Sequence, residues 1–255
     1  MGKIVIQDTA DVKITDLVTG KVVLNAEAQL AGIKGSISED DLKGGIGNKK
    51  LYKIRTDKAI DLSMRSAVAD IEYWAMTQGV AVEENGKGVF TADYKGVVVE
   101  DSATSANEIV LPVGAIEGTK AQVALPDGTQ ETLEVVKSLT APTKFAVDLA
   151  GAKATFKAGQ EVTVFYQEEV EGQRISIDST KFAGKYRVEM KTIAYDLDTA
   201  KVTAEILFDF PETIPSGEFD ISLENGNVYT PEINFSVLNP KGSDEMGSIL
   251  LKPRK

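Results

Sequence analysis

The chain has no cysteine and no histidine. Without cysteine there is no disulfide framework and no thiolate nucleophile. Without histidine the most frequent general base and the commonest transition-metal ligand are missing. Ser-His and Cys-His catalytic arrangements are therefore excluded. A zinc site made only of Asp and Glu runs against the metal's ligand preferences. No segment approaches the roughly 20 apolar residues of a membrane span. The start, MGKIVIQDTADVKI, reaches charges before an apolar run of signal-peptide length. These absences predict a soluble protein made inside a cell, not an enzyme, with no cofactor, no metal and no membrane association.

What is present is ordinary in bulk and uneven in detail. The 255 residues are 42% hydrophobic and 26% charged, enough for one large β domain or two small ones. The net charge is -11. Residues 1–82 balance 11 basic against 11 acidic residues, whereas 83–172 hold 7 basic and 15 acidic and 173–255 hold 10 and 13. The middle carries most of the excess. Nucleic-acid binding needs cations to displace phosphate counterions, so this balance argues against it. A solvated face that keeps the protein soluble explains the acids. A surface that lets a polyanion pass without sticking explains them equally well.

Strand signals dominate. Short alternating runs at Lys21–Leu30, Lys53–Met64, Val123–Leu125, Glu131–Val136 and Glu161–Glu168 read as strands, as do Arg174–Asp178, Lys185–Tyr195, Lys201–Phe210, Glu218–Leu223 and Glu232–Val237. Turn residues separate them, among them Thr19-Gly20, Asp127-Gly128, Asp198-Thr199 and Asn225-Gly226. This density predicts a mainly β fold, a sandwich or barrel. One helix is expected over Ser66–Gln78. Val68, Ile71, Trp74 and Ala75 lie on its apolar stripe, Ser66 serves as the cap and Gly79 as the left-handed stop. The sole tryptophan, Trp74, is expected to cover a sheet face.

Between the first strands lies Gly32–Lys50 (GIKGSISEDDLKGGIGNKK), which reads as a long inter-strand loop. Loops of this length inside a domain are usually functional or disordered. Ile33, Ile37, Leu42 and Ile46 are spaced through it with nothing local to bury against, which marks them as an interface. Gly44–Lys50 lacks the spacing and the hydroxyl of a phosphate-cradling loop. Glu39-Asp40-Asp41 lacks the ligand spacing of a calcium loop. The neighbouring pairs Glu83-Glu84 and Glu168-Glu169 point to opposite faces of any strand, so neither forms a carboxylate dyad.

The order of these elements resembles the tail tube (major tail) proteins of long-tailed bacteriophages. The resemblance is carried by Ile175–Asp178, Phe182–Val188, Ala204–Phe210 (AEILFDF), Phe219–Leu223 and Met246–Ile249, and by the N-terminal order of hairpin, long loop, strand and single helix ending at Gly79. It implies a β-sandwich with a flanking helix that forms rings. Residues 1–82 and 173–255 are then two halves of the tube fold, and 83–172 is an intervening acidic β segment or outer lobe. It further implies homo-hexameric rings stacked into a tube, with the loop 32–50 reaching the next ring. Tail-terminator, baseplate and tape-measure proteins are the implied partners, and DNA passes through an acidic lumen without specific binding. The implied location is the virion tail, after assembly in the host cytoplasm. Two other classes fit an acidic, histidine-free β protein: a capsid decoration or baseplate protein, and an extracellular binding or adhesion module.

Overall fold

The computed structural model describes residues 3–66, 68, 70–100, 107–217 and 221–254. In chain order its elements are β1 (Ile4–Val5), β2 (Asp11–Asp16), β3 (Val22–Gly44), β4 (Lys49–Ser66), α1 (Ile71–Gln78), β5 (Glu83–Val97), β6 (Val99–Glu100), β7 (Asn107–Val110), β8 (Lys120–Ala124), β9 (Gln130–Lys137), β10 (Phe145–Asp148), β11 (Glu161–Arg174), β12 (Tyr186–Asp196), β13 (Val202–Pro215), β14 (Glu232–Val237) and β15 (Ser248–Pro253). They form two units, one from 1–82 with 175–255 and one from 83–174.

The first unit is an antiparallel sheet whose pairings run in a circuit. β12 pairs with β2, β2 with β3, β3 with β4, β4 with β14, β14 with β13, and β13 again with β12. Six strands therefore close into a barrel, with β1 added outside β12 and β15 outside β13. Period-2 patterning drives this closure. β14 alternates exposed and buried without a fault, placing Ile233, Phe235 and Val237 inside. Val12, Ile14, Leu62, Met64, Val188, Met190 and Phe210 complete the interior.

The helix is shorter than the sequence suggests. Ser66 does not cap it, because its backbone is already in the ladder, paired with Ala28 and donating to the Pro231 carbonyl at 3.0 Å. Asp70 is the cap, accepting from the Glu72 backbone N–H at 3.1 Å. Gly79 ends the helix at φ 65°, and a Cβ there would sit 2.0 Å from the Phe182 carbonyl oxygen. The buried face is also different. Tyr73 and Met76 enter the barrel core, and Trp74 packs against it half-buried. Val68 precedes the helix, is 71% exposed and lies outside the core cluster, and Ile71 stays half-buried at the first turn. Of the expected stripe, Trp74 and the buried Ala75 face the core as the spacing predicts, Val68 does not, and Tyr73 and Met76 supply the rest of the buried face. Ala67 and Ala69 lie outside the described residues.

The second unit is a seven-stranded antiparallel sheet in the order β5-β11-β8-β9-β10-β7-β6. Its first and last strands are one stretch of chain, separated only by Val98, which is 1% exposed. The sheet thus curls into a second barrel, filled by Ile109, Val123, Val135, Val147, Val164 and Tyr166 among others. Glu108 is 2% exposed inside it. Its carboxylate accepts from Ser138 Oγ, from the Leu139 and Thr140 backbone N–H groups at 2.8 Å each, and from Thr140 Oγ1. Burial pushes the carboxyl pKa up, but these donors outweigh it and hold it below the ordinary value.

Two expected strands are not seen among the described residues. Arg174–Asp178 is strand only at Arg174, the end of β11, and continues without strand pairing. Of Glu218–Leu223, residues 218–220 lie outside the described residues and 221–223 are irregular.

Candidate assembly surfaces

The segment 32–50 is not a loop. β3 and β4 continue past the barrel as an antiparallel ribbon and turn at 45–48. The turn uses Gly45, Gly47 and Asn48 at φ 77°, 88° and 51°, conformations that glycine adopts freely and asparagine tolerates. Beyond Gly35 and Ile60, among the described residues, the two strands pair only with each other. Ten residues at about 3.3 Å each make an arm of roughly 30 Å. Pairing the segment with itself satisfies the backbone groups that a structureless loop would leave to water.

The register distributes the four predicted contact residues. Ile33 and Ile37 pair with Leu62 and Lys58 and share the barrel-facing side of β3. A bulge between Ile37 and Glu39 inserts an extra residue on β4, so Ile54 no longer follows the parity of Ile60. Leu42, of opposite parity to Ile37, lies across from Tyr52 and beside Ile54 on the other side of the arm. Ile46 sits in the turn, 98% exposed. Ile33, Ile37 and Leu42 are 41%, 51% and 53% exposed. The four make two faces and a tip rather than one patch.

Charges knit the arm together. Lys53 and Arg55 both bond Glu39, and Lys50 bonds Asp41 at 2.5 Å. The hydrogen bond from Lys53 holds the Glu39 carboxyl below its usual range. Among the described residues Lys43 and Lys49 have no acidic partner.

Two further features escaped sequence reasoning. Among the described residues β15 pairs only with β13, along one side, and it exposes Ile249 at 70% and Leu250 at 57%. It is fastened by Glu205 on β13, which meets Lys252 at 3.6 Å and Arg254 at 3.3 Å. A free edge with apolar side chains is a ready pairing template. The SILLKP run has the composition of a strand, but nothing in it says that one side is unpaired. The other feature is a cavity of about 350 Å³ at the end of β4 remote from the arm tip, walled by Arg65, Glu224, Asn227, Val228, Tyr229 and Glu232. Tyr229 rests on Trp74, ring centroids 6.3 Å apart, and Tyr73 Oη donates to the Glu232 carbonyl. The helix thereby anchors one wall.

Against known proteins, residues 4–251 match the model of the YomU/Tube protein family, and the chain belongs to that family. A tail tube protein of Bacillus phage SPR is 40% identical over 258 residues, covering 97% of this chain and 89% of that protein. The SPbeta prophage-derived uncharacterized protein YomU of Bacillus subtilis (strain 168) is 31% identical over 235 residues, covering 92% of this chain and 82% of that protein.

Proposed function

We propose that this member of the YomU/Tube family is a structural subunit of a phage tail. It polymerises into rings, the rings stack into a tube, and the tube conducts the genome. The observation that carries this reading is the 40% identity with a tail tube protein across 97% of the chain. The structure supplies surfaces of the required kind. A heterologous contact, in which different patches meet, builds rings where the rotation closes and stacks where it does not. The free edge of β15 suits the lateral contact, and the arm carrying Ile33, Ile37, Leu42 and Ile46 suits the axial one.

On this reading the ring is a homo-hexamer, and the 1–82 and 173–255 segments build the tube wall while 83–172 forms a lobe. The subunit has a mechanical role and performs no catalytic step. Its other partners are tail-terminator, baseplate and tape-measure proteins, and it resides in the virion tail after assembly in the host cytoplasm. DNA crosses a lumen lined by acids, whose repulsion reaches only about 8 Å at physiological salt. Negative-stain microscopy of the purified protein tests the reading. Hollow tubes or six-fold rings are expected, and a monodisperse monomer at high concentration overturns it.

A further inference from the structure

The tip of the arm and the cavity beside Tyr229 lie at opposite ends of the same strand, β4. Lys49 begins that strand next to the tip, and Arg65 lies near its end in the cavity wall. Sixteen residues at about 3.3 Å separate them by roughly 50 Å in an untwisted strand, so the two cannot meet within one molecule.

Their chemistries are complementary. Ile46 is 98% exposed and flanked by Gly44, Gly45 and Gly47, so it stands as a knob with no bulk at its shoulders. From Leu42 to Thr56 the sequence carries five Lys or Arg and no acid, in a protein whose net charge is -11. Three of these cations are engaged by Glu39 and Asp41, while Lys43 and Lys49, the pair nearest the knob, have no acidic partner among the described residues. The cavity is lined by Val228, which is 82% exposed, and by Tyr229, Glu224 and Glu232. Glu232 is already paired with Arg65 at 2.8 Å, whereas Glu224 accepts a hydrogen bond from Asn227 and has no basic partner among the described residues. About 350 Å³ admits a branched aliphatic side chain together with its glycine-flanked backbone.

We infer that the tip of one copy seats Ile46 in the Val228–Tyr229 cavity of the next copy, with Lys49 facing Glu224. This rests on the stacking role of the arm proposed above and adds the identity of its receptor. Knob and socket are different patches at opposite ends of one strand. The contact is therefore heterologous and open, and repeats along the direction of β4.

The absence of cysteine makes the test clean. Two variants, Ile46→Cys and Val228→Cys, are prepared with different tags, mixed under assembly conditions and oxidised. A disulfide joining the two differently tagged chains is expected, with little cross-linking in either variant alone. A charge exchange reads the same contact without a cross-link: Lys49→Glu and Glu224→Lys should each arrest stacking, and a chain carrying both should restore it. If Ile46→Asp arrests stacking while Val228→Asp and Glu224→Lys assemble normally, the arm still stacks but the socket is elsewhere, and this inference fails alone. A dominant Ile46→Cys homodimer also overturns it, because tips would then meet tips. If every arm and cavity variant assembles as the unaltered chain does, both the inference and the stacking role of the arm fail.

Discussion

The two barrels close in different ways. In the first, β12 and β13 join through backbone hydrogen bonds, and β1 and β15 remain outside the circuit. In the second, the two ends of the sheet are one continuous segment broken only at Val98. Closure by chain continuity leaves no added strand outside the circuit. The first unit, by contrast, keeps the open edge of β15 and sends out a ribbon that it does not need for its own core. Their charges differ as well. Residues 83–174 carry 15 acids against 8 bases, more than half of the excess in little more than a third of the chain. On the proposed reading the first unit is the one that self-associates, while the second is a closed barrel that carries most of the net acidic excess.

The sharpest test of that separation is a core truncation in one unit read separately in each. Phe235 is 2% exposed at the centre of the first barrel. Phe235→Ala should cost about 3–5 kcal/mol. Trp74, the only tryptophan, belongs to the first unit, so its fluorescence reports that unit alone. Its denaturation midpoint should fall, while hydrogen exchange at Val164 and Ile109 stays unchanged. A matching loss of protection in the second unit would show that the two unfold as one.

The converse perturbation is Glu108→Gln. The amide keeps the shape but replaces a charged acceptor of four hydrogen bonds, so about 1.5–3 kcal/mol should be lost, and only from the second unit. The pH dependence has a definite sign. The folded-state pKa is depressed, so the stabilisation is full above the unfolded carboxylate value of about 4.5 and disappears as pH falls through the folded value. The glutamine variant should lack that acid-side decline. Equal acid sensitivity in both proteins would assign the decline to other carboxylates.

Gly79→Ala probes the helix that covers the first barrel. The left-handed backbone at φ 65° costs an L-residue about 1–2 kcal/mol. The new methyl also meets the Phe182 carbonyl. The Trp74 signal should shift without change in the second unit. An unaltered midpoint would mean that the 182–183 backbone moves aside freely.

Much of this was legible from residue patterns, and the failures have physical causes. β12 and β14 were readable because one face is buried and the other wetter, which produces alternation; β13 alternates only in part, its buried positions changing parity between Phe210 and Thr213. The turn at Asp127-Gly128 was readable because Gly128 needs φ 88°. The arm was mistaken for a loop because water bathes both of its faces, so no alternation is required of it. Glycine and charge are then tolerated along a strand. The odd spacing of Ile37 and Leu42 puts them on opposite faces of β3, and the bulge on β4 beside Ile37 shifts the parity of Ile54. β5 was missed because Gly86, Gly88 and Gly96 weaken its strand signal, although Gly86 is needed where a Cβ would sit 2.3 Å from Arg174 Cβ. In the helix, Tyr73 and Met76 displaced the expected Val68, since Asp70 rather than Ser66 begins the first turn. The β15 edge and the Tyr229 cavity had no signature, because both arise from strands distant in sequence.

The smallest expected change in stability accompanies the largest expected change in assembly. Ile37 and Leu42 are about half exposed, on opposite sides of an arm that contributes nothing to the barrel interior. Replacing both with serine should move the Trp74 unfolding midpoint by no more than about 0.5 kcal/mol, the usual scale for surface substitutions. The ribbon keeps its ladder, since serine retains both backbone groups. Circular dichroism should therefore be unchanged while polymers are lost. Exposed apolar residues without a fold to support are retained for a partner. Two results would break the distinction between the barrel that folds and the arm that assembles. A destabilisation of about 2 kcal/mol would place the arm within the fold of the first unit. Tubes of normal length from the double variant would leave stacking to other surfaces, with the arm's apolar residues no longer explained by assembly.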